Sequence, residues 1–209
     1  MSIDYSPDSR RLQDRFDTRR LADRLAEVKA HDRFTEADRE FIAARDMFFL
    51  ATVSRDGRPT CSYKGGDPGF VAVLDGTTLA FPNYDGNGMY LSMGNISGSG
   101  QVGLLFIDFE AGRRMRVDGE AELSHDHPLM ASYPESEFIV LVHARSIFPN
   151  CPRYMHRYQL VERSRFVPRP DVSTPIPDWK RSDWARDALP AGDPAGESTR
   201  SKRGSIDGS

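Results

Sequence analysis

The chain has 209 residues, with 28 Lys+Arg against 31 Asp+Glu and a formal net charge of −3. That near-neutral balance gives no reason to expect the phosphate-driven, salt-dependent binding of a nucleic-acid protein. No apolar run approaches the roughly 20 residues that cross a bilayer, the first residues lack the basic-then-apolar layout of a secretion signal, and two cysteines, Cys61 and Cys151, exclude a disulfide scaffold. A cytoplasmic protein with one main domain is the expectation. Its 38% hydrophobic content points to a polar segment diluting an ordinary core.

Residues 1–46 are charge-rich. Leu12, Phe16, Leu21, Leu25 and Val28 recur at spacings of three to five, which predicts a helix with one apolar stripe. Such a helix serves as a packing or dimer-covering element. Thr35-Glu36-Ala37-Asp38 has the pattern of a capping box, and Phe41 and Ile42 supply the buried side of a second short helix.

From Met47 the texture turns to β. Strands are predicted over 47–53, 60–64, 70–74, 77–81, 102–109 and 113–123, with shorter candidates at 138–142 and 146–148. Asp56-Gly57 and Asp75-Gly76 form the intervening turns. Over 113–123 apolar residues alternate with charged ones, as on a strand with one wet face. Short helices are expected at 89–96 and 128–133. Many short antiparallel strands joined by tight turns predict a mainly β barrel or sandwich with flanking helices.

After Val167 the chain becomes Pro-rich: six of its fourteen prolines lie between Pro168 and Pro194. Residues 190–209 offer almost nothing to bury and are expected to be disordered. Trp179 and Trp184 are large apolar groups that need a docking place. The domain organisation is thus an N-terminal helical segment (1–46), a β domain (47–167) and a Pro-rich tail (168–209).

Two loops carry the chemistry. In Ser62-Tyr63-Lys64-Gly65-Gly66 a strand ends in lysine and paired glycines; the glycines let backbone approach a ligand, and lysine offers a compact cation for a phosphate. A plain turn with an exposed lysine is the competing reading. Phe81-Pro82-Asn83-Tyr84-Asp85-Gly86-Asn87-Gly88-Met89 crowds short amides and glycines after a strand, a donor set suited to an anion, with a helix N-terminus behind it. His125-Asp126-His127 lacks further ligands at any recognisable spacing, so it reads as a polar turn and no metal site is expected. No Ser-His-Asp order or nucleophile elbow occurs.

Taken in order, Phe48-Phe49-Leu50-Ala51-Thr52-Val53, Asp56-Gly57-Arg58-Pro59, Tyr63-Lys64-Gly65-Gly66, Phe81-Pro82-Asn83-Tyr84-Asp85-Gly86-Asn87-Gly88 and Asn95-Ile96 resemble the pyridoxamine 5′-phosphate oxidase-like family. The resemblance spans about residues 35–165. It implies an antiparallel split β-barrel of the FMN-binding type and a homodimer with FMN at the subunit interface. Carried over by position, Lys64 meets the FMN phosphate or ribityl chain, with Ser62, Tyr63 and Gly65 beside it. Pro82 and Asn83 fall where the family lines the flavin. Asn87 and Met89 fall in the segment that supplies phosphate donors. There the chain departs from the vitamin-pathway oxidases, whose Ser-Arg-Lys run is replaced by Asn87-Gly88-Met89. Arg153, in Pro149-Asn150-Cys151-Pro152-Arg153-Tyr154, is the candidate replacement cation; a surface arginine is the competing reading. Cys151 reads as a structural thiol.

The implied function is a flavin oxidoreductase that passes hydride or electrons from a reduced nucleotide to a small acceptor, without the vitamin-pathway activity. The alternative is a non-catalytic flavin-, deazaflavin- or haem-binding module of the same fold.

Overall fold

A computed structural model describes residues 3–196. It divides into two compact units, one ending at Arg163 and the other beginning at Ser164.

The first unit opens with three helices. The apolar stripe belongs to two of them, α1 (Pro7–Arg15) and α2 (Arg19–Lys29), separated at Asp17 in the left-handed region (φ +52°). Leu12, Phe16, Leu21, Leu25 and Val28 are all exposed, and Ala26 is the buried residue of α2. Helix α3 (Glu36–Ala43) starts on the expected capping box. The Thr35 hydroxyl accepts from the Asp38 N–H at 3.2 Å, and the Asp38 carboxylate accepts from the Thr35 N–H at 2.8 Å.

The unit is mainly β, an antiparallel split barrel of the expected class. Strands β1 (Met47–Val53), β2 (Pro59–Gly65), β3 (Ala72–Val73), β4 (Thr78–Tyr84), β5 (Gln101–Asp108), β6 (Arg113–Ser124) and β7 (Ser136–Pro149) form one sheet in the order β2-β1-β5-β6-β7-β4-β3. Helix α4 (Leu91–Ser99) joins β4 to β5, and a 3₁₀ turn over Pro128–Ser132 joins β6 to β7. The core is gathered around Phe48. Its ring lies 5.8 Å from Phe70, 5.0 Å from Phe81 and 5.1 Å from Phe106, within the range where aromatic pairs stabilise beyond their buried area.

The structure departs from the sequence reading at three strands. The third is two residues long rather than spanning 70–74. The fourth continues past Phe81 to Tyr84, pairing Pro82 with Ile139 and Asn83 with Phe138. Strand β3 pairs no further than Ala80, so β4 is an edge on that side beyond this point, where proline is tolerated. The two candidates at 138–142 and 146–148 are one strand. Gly119 pairs with Ala144 and Asp118 with Ser146, leaving Arg145 as the extra residue of a bulge. The bulge lets Val142 and Ile147, five apart, both point inward.

In the second unit Trp179 and Trp184 stack with ring centroids 6.0 Å apart. Lys180 Nζ and the Asp193 carboxylate form a buried ion pair at 2.7 Å. Of the stretch read as disordered, residues 197–209 lie outside the described residues.

Candidate functional site

Register decides what β2 offers. Thr60, Ser62 and Lys64 stand directly opposite Thr52, Leu50 and Phe48, all buried, so they share the core face of the sheet. At this edge of the sheet the core gives way to a cleft of about 340 Å³. Among the described residues Lys64 is the only charged side chain lining it. Its ammonium is half-buried, and burial pushes its pKa below the ordinary lysine value. Among the described residues it has no hydrogen-bond or ion-pair partner. A lysine held partly out of water without a counter-charge is a site that gains from an anion.

The opposite wall is the 86–93 segment. Asn87 Oδ1 accepts from the Met89 N–H at 3.0 Å, closing a turn over Gly88, whose φ of +72° suits glycine. Tyr90 then adopts the left-handed region (φ +48°) and starts α4 without any side-chain cap. The first N–H groups of the helix, from Leu91, Ser92 and Met93, therefore lie uncapped at residues lining the cleft. The left-handed Tyr90 also explains why α4 begins at Leu91 rather than at 89. Ser92 Oγ meets Ser62 Oγ at 3.0 Å, and Asn95 Nδ2 donates to Thr52 Oγ1 at 3.0 Å and Thr60 Oγ1 at 3.2 Å, pinning α4 to β1 and β2. An unpaired lysine and an uncapped helix N-terminus in one cleft fit a phosphate.

The structure brings Ser62, Lys64, Asn83, Asn87 and Met89 to this cleft. Tyr63 points from the other face of β2 and packs edge-on against Phe49 at 6.2 Å. Gly65 lies against that ring, since a Cβ there would meet Tyr63 Cε1 at 2.7 Å. Pro82 is buried within β4. Arg153 is exposed in the segment after β7 and does not line the cleft. His127 Nδ1 accepts from the Leu129 N–H at 3.2 Å and so caps the 3₁₀ turn, while the His125 ring packs 5.0 Å from Phe138. Among the described residues no cluster of three His, Cys, Asp or Glu is placed to hold a metal, and no helix is long and apolar enough to cross a membrane.

Glu137 and Tyr90 were not legible as site residues. The Glu137 carboxylate accepts from Asn83 Nδ2 at 2.8 Å and from Tyr90 OH at 2.7 Å. Tyr84, at the end of β4, has its phenol pKa pushed up to about 12, chiefly by burial and then by Tyr133, Asp67 and Glu135.

The sequence pattern of the pyridoxamine 5′-phosphate oxidase family matches residues 34–150. The chain belongs to this family. The matched span runs from the residue before the α3 cap to the end of β7 and contains every residue of the cleft. No curated protein matches the sequence. Among solved structures, a candidate pyridoxamine 5′-phosphate oxidase of Lactobacillus delbrueckii is 23% identical, with 58% of this chain and 99% of that one covered and a TM-score of 0.47. An FMN-binding protein of Syntrophomonas wolfei is 16% identical, with 55% and 89% covered and a TM-score of 0.39. The haem storage protein HutZ of Vibrio cholerae is 20% identical, with 52% and 89% covered and a TM-score of 0.39.

Proposed function

We propose that this family member is an FMN-binding oxidoreductase that moves hydride or electrons between a reduced nucleotide and a small acceptor. The observation that carries the reading is the half-buried, unpaired Lys64 in the same cleft as the uncapped start of α4. Lys64 and the N–H groups of residues 91–93 would hold the phosphate. Asn83 and the 86–89 turn would bind the rest of the flavin. FMN, when bound, supplies the redox chemistry; the chain fixes its position and its electrostatic surroundings. No side-chain acid or base is required of the chain, because the flavin supplies the redox chemistry.

The exposed stripe of Leu12, Phe16, Leu21, Leu25 and Val28 supports a homodimer, with FMN at the subunit interface as the family resemblance implies. Arg153, exposed and outside the cleft of its own chain, is then available to the partner copy. The exposed thiols of Cys61 and Cys151 favour a reducing cytoplasm.

The test is purification and spectroscopy. The protein is expected to be yellow, to release FMN on denaturation, to run as a dimer in light scattering, and to be bleached anaerobically by NADH or NADPH. Recovery of no flavin together with no uptake of added FMN would overturn the cofactor. Flavin that neither nucleotide reduces would leave a passive binding module.

A further inference from the structure

We propose that Glu137 is a positioning residue that locks the Asn83 amide with its carbonyl oxygen available to the cleft, so that the site selects a ligand presenting a hydrogen-bond donor there. The inference deepens the flavin reading and rests on it. For FMN the donor is the ring N–H or a ribityl hydroxyl.

The lock starts from a strand irregularity. Asn83 pairs with Phe138 and Tyr84 with Ser136, which leaves Glu137 as the unpaired extra residue of a bulge in β7. A bulge re-aims the side chain it inserts, and here the carboxylate reaches Asn83 Nδ2 at 2.8 Å and Tyr90 OH at 2.7 Å. The chemistry leaves one orientation. An ionised carboxylate only accepts hydrogen bonds, so the amide must turn its NH₂ toward Glu137. The same NH₂ also donates to the Tyr84 carbonyl at 3.4 Å. Asn83 is 7% exposed, lines the cleft, and its Oδ1 takes no hydrogen bond among the described residues. That oxygen is not an orphaned buried atom: it opens to the cleft, where solvent or a ligand meets it. A bound ligand that brings an N–H or O–H replaces the solvent contact with its own hydrogen bond; one that brings a second acceptor displaces the solvent without replacing it and is disfavoured.

The experiment measures FMN dissociation constants, by flavin fluorescence quenching, on the full chain and its N83A, E137L, E137Q and N83A/E137L variants. It adds solvent-exchange rates of the Asn83 NH₂ protons in the flavin-free protein. N83A and E137L are each expected to weaken FMN about 3- to 10-fold, the value of one neutral hydrogen bond. E137Q is expected to fall between E137L and wild type, because glutamine can accept from Asn83 or offer its own NH₂ instead. E137L is expected to have no further effect in the N83A background, the signature of one residue acting through the other. The Asn83 NH₂ protons should exchange slowly in wild type and faster in E137L. An equal loss from E137L with and without Asn83, or wild-type binding by N83A, would overturn the proposal while the flavin assignment stands. If the wild type binds no FMN, the flavin reading falls and the acceptor role falls with it. Slow Asn83 exchange that persists in E137L overturns the lock on its own. Should E137L fail to fold, E137Q and its N83A double variant carry the same comparison.

Discussion

The hydroxyls of Ser62 and Ser92 lie 3.0 Å apart and tie the edge strand β2 to the first turn of α4. That contact fixes the distance between the strand that carries Lys64 and the helix start that carries free N–H groups. It joins two half-sites that sit thirty residues apart in sequence. Each is a weak anion site alone; held together they form the cradle on which the cofactor reading depends.

Lys64 is expected to trade stability for binding. Its pKa is lowered by burial, so between that lowered value and the unfolded value of 10.5 the unfolded chain binds more protons at this group than the folded one, and stability rises with pH there. Its charge therefore costs stability at neutral pH, and the cost fades as pH rises toward and past the unfolded value. Lys64→Met should raise the melting temperature of the flavin-free protein at pH 7 and lose that advantage in alkali. The same variant should bind FMN more weakly by roughly 1.5–3 kcal/mol, the range for a hydrogen bond to a charged group. A variant that is both less stable and equally avid for FMN contradicts this account.

Asn95 is expected to be a stability residue whose loss loosens the cleft. Its NH₂ donates to both Thr52 and Thr60, whose hydroxyls also meet each other at 2.8 Å, and Thr52 is fully buried. Asn95→Leu leaves those oxygens short of a donor and should cost about 1–3 kcal/mol. Urea unfolding monitored by circular dichroism checks it: the midpoint should fall with an unchanged slope, and FMN affinity should fall with it. An unchanged midpoint would show that α4 is held by its apolar contacts alone.

The barrel was legible because most strands announce themselves by period and by turn residues. Met47–Val53 and Arg113–Ser124 are read almost to the residue, as is the capping box at Thr35. What escaped was non-periodic. A two-residue reading breaks at the Arg145 bulge, so β7 looked like two fragments, and Pro82 looked like the end of β4 because the short reach of β3 is invisible in sequence. Lys64, Asn83 and Asn87 stood out by residue type beside glycines. Glu137 did not, since a lone glutamate near a strand start has no local mark; only the β4–β7 register, with its own bulge, brings it to Asn83.

Asp108 is expected to govern part of the acid stability. Its carboxylate accepts from the Ala111 N–H at 2.8 Å and pairs with Arg113 at 3.1 Å and Arg45 at 3.3 Å; both guanidinium groups also lie over the Phe41 ring. Burial is the largest single influence and pushes the pKa up, but the N–H bond and the two arginines together outweigh it and hold it below the usual carboxylate value. A depressed folded pKa gives stability that is present above the unfolded value near 3.9 and lost as pH falls through the lower folded one. Asp108→Asn should therefore cost about 1–3 kcal/mol at pH 7, where it strands Arg45. Below about pH 4 the gap between variant and wild-type melting temperatures should close. A gap that stays constant down to pH 2 would show that the residue acts by packing rather than by charge.

The family takes its description from an oxidase of a phosphorylated vitamin, and such a substrate brings a phosphate of its own beside that of the flavin. Two dianions in one pocket need two sets of fixed cations, with arginine forks favoured for the purpose. Among the described residues the cleft is lined by a single cationic side chain, Lys64, and the turn that would carry further cations reads Asn87-Gly88-Met89. Arg153 is exposed outside the cleft of its own chain, and as one arginine it does not make a second set. We therefore expect the flavin-loaded protein to be reduced by a nicotinamide nucleotide but to convert neither pyridoxine phosphate nor pyridoxamine phosphate at a rate above the free-flavin background. Introducing cations at Asn87 and Met89 should raise affinity for inorganic phosphate in competition with FMN without creating that turnover, because holding a reacting carbon over the ring needs positioning to a fraction of an ångström as well as charge. The check is a coupled assay for pyridoxal phosphate. Efficient formation by the unaltered protein, abolished by Lys64→Ala, would restore the vitamin-pathway activity and show that Lys64, the helix start and a cation from a second copy suffice for two phosphates.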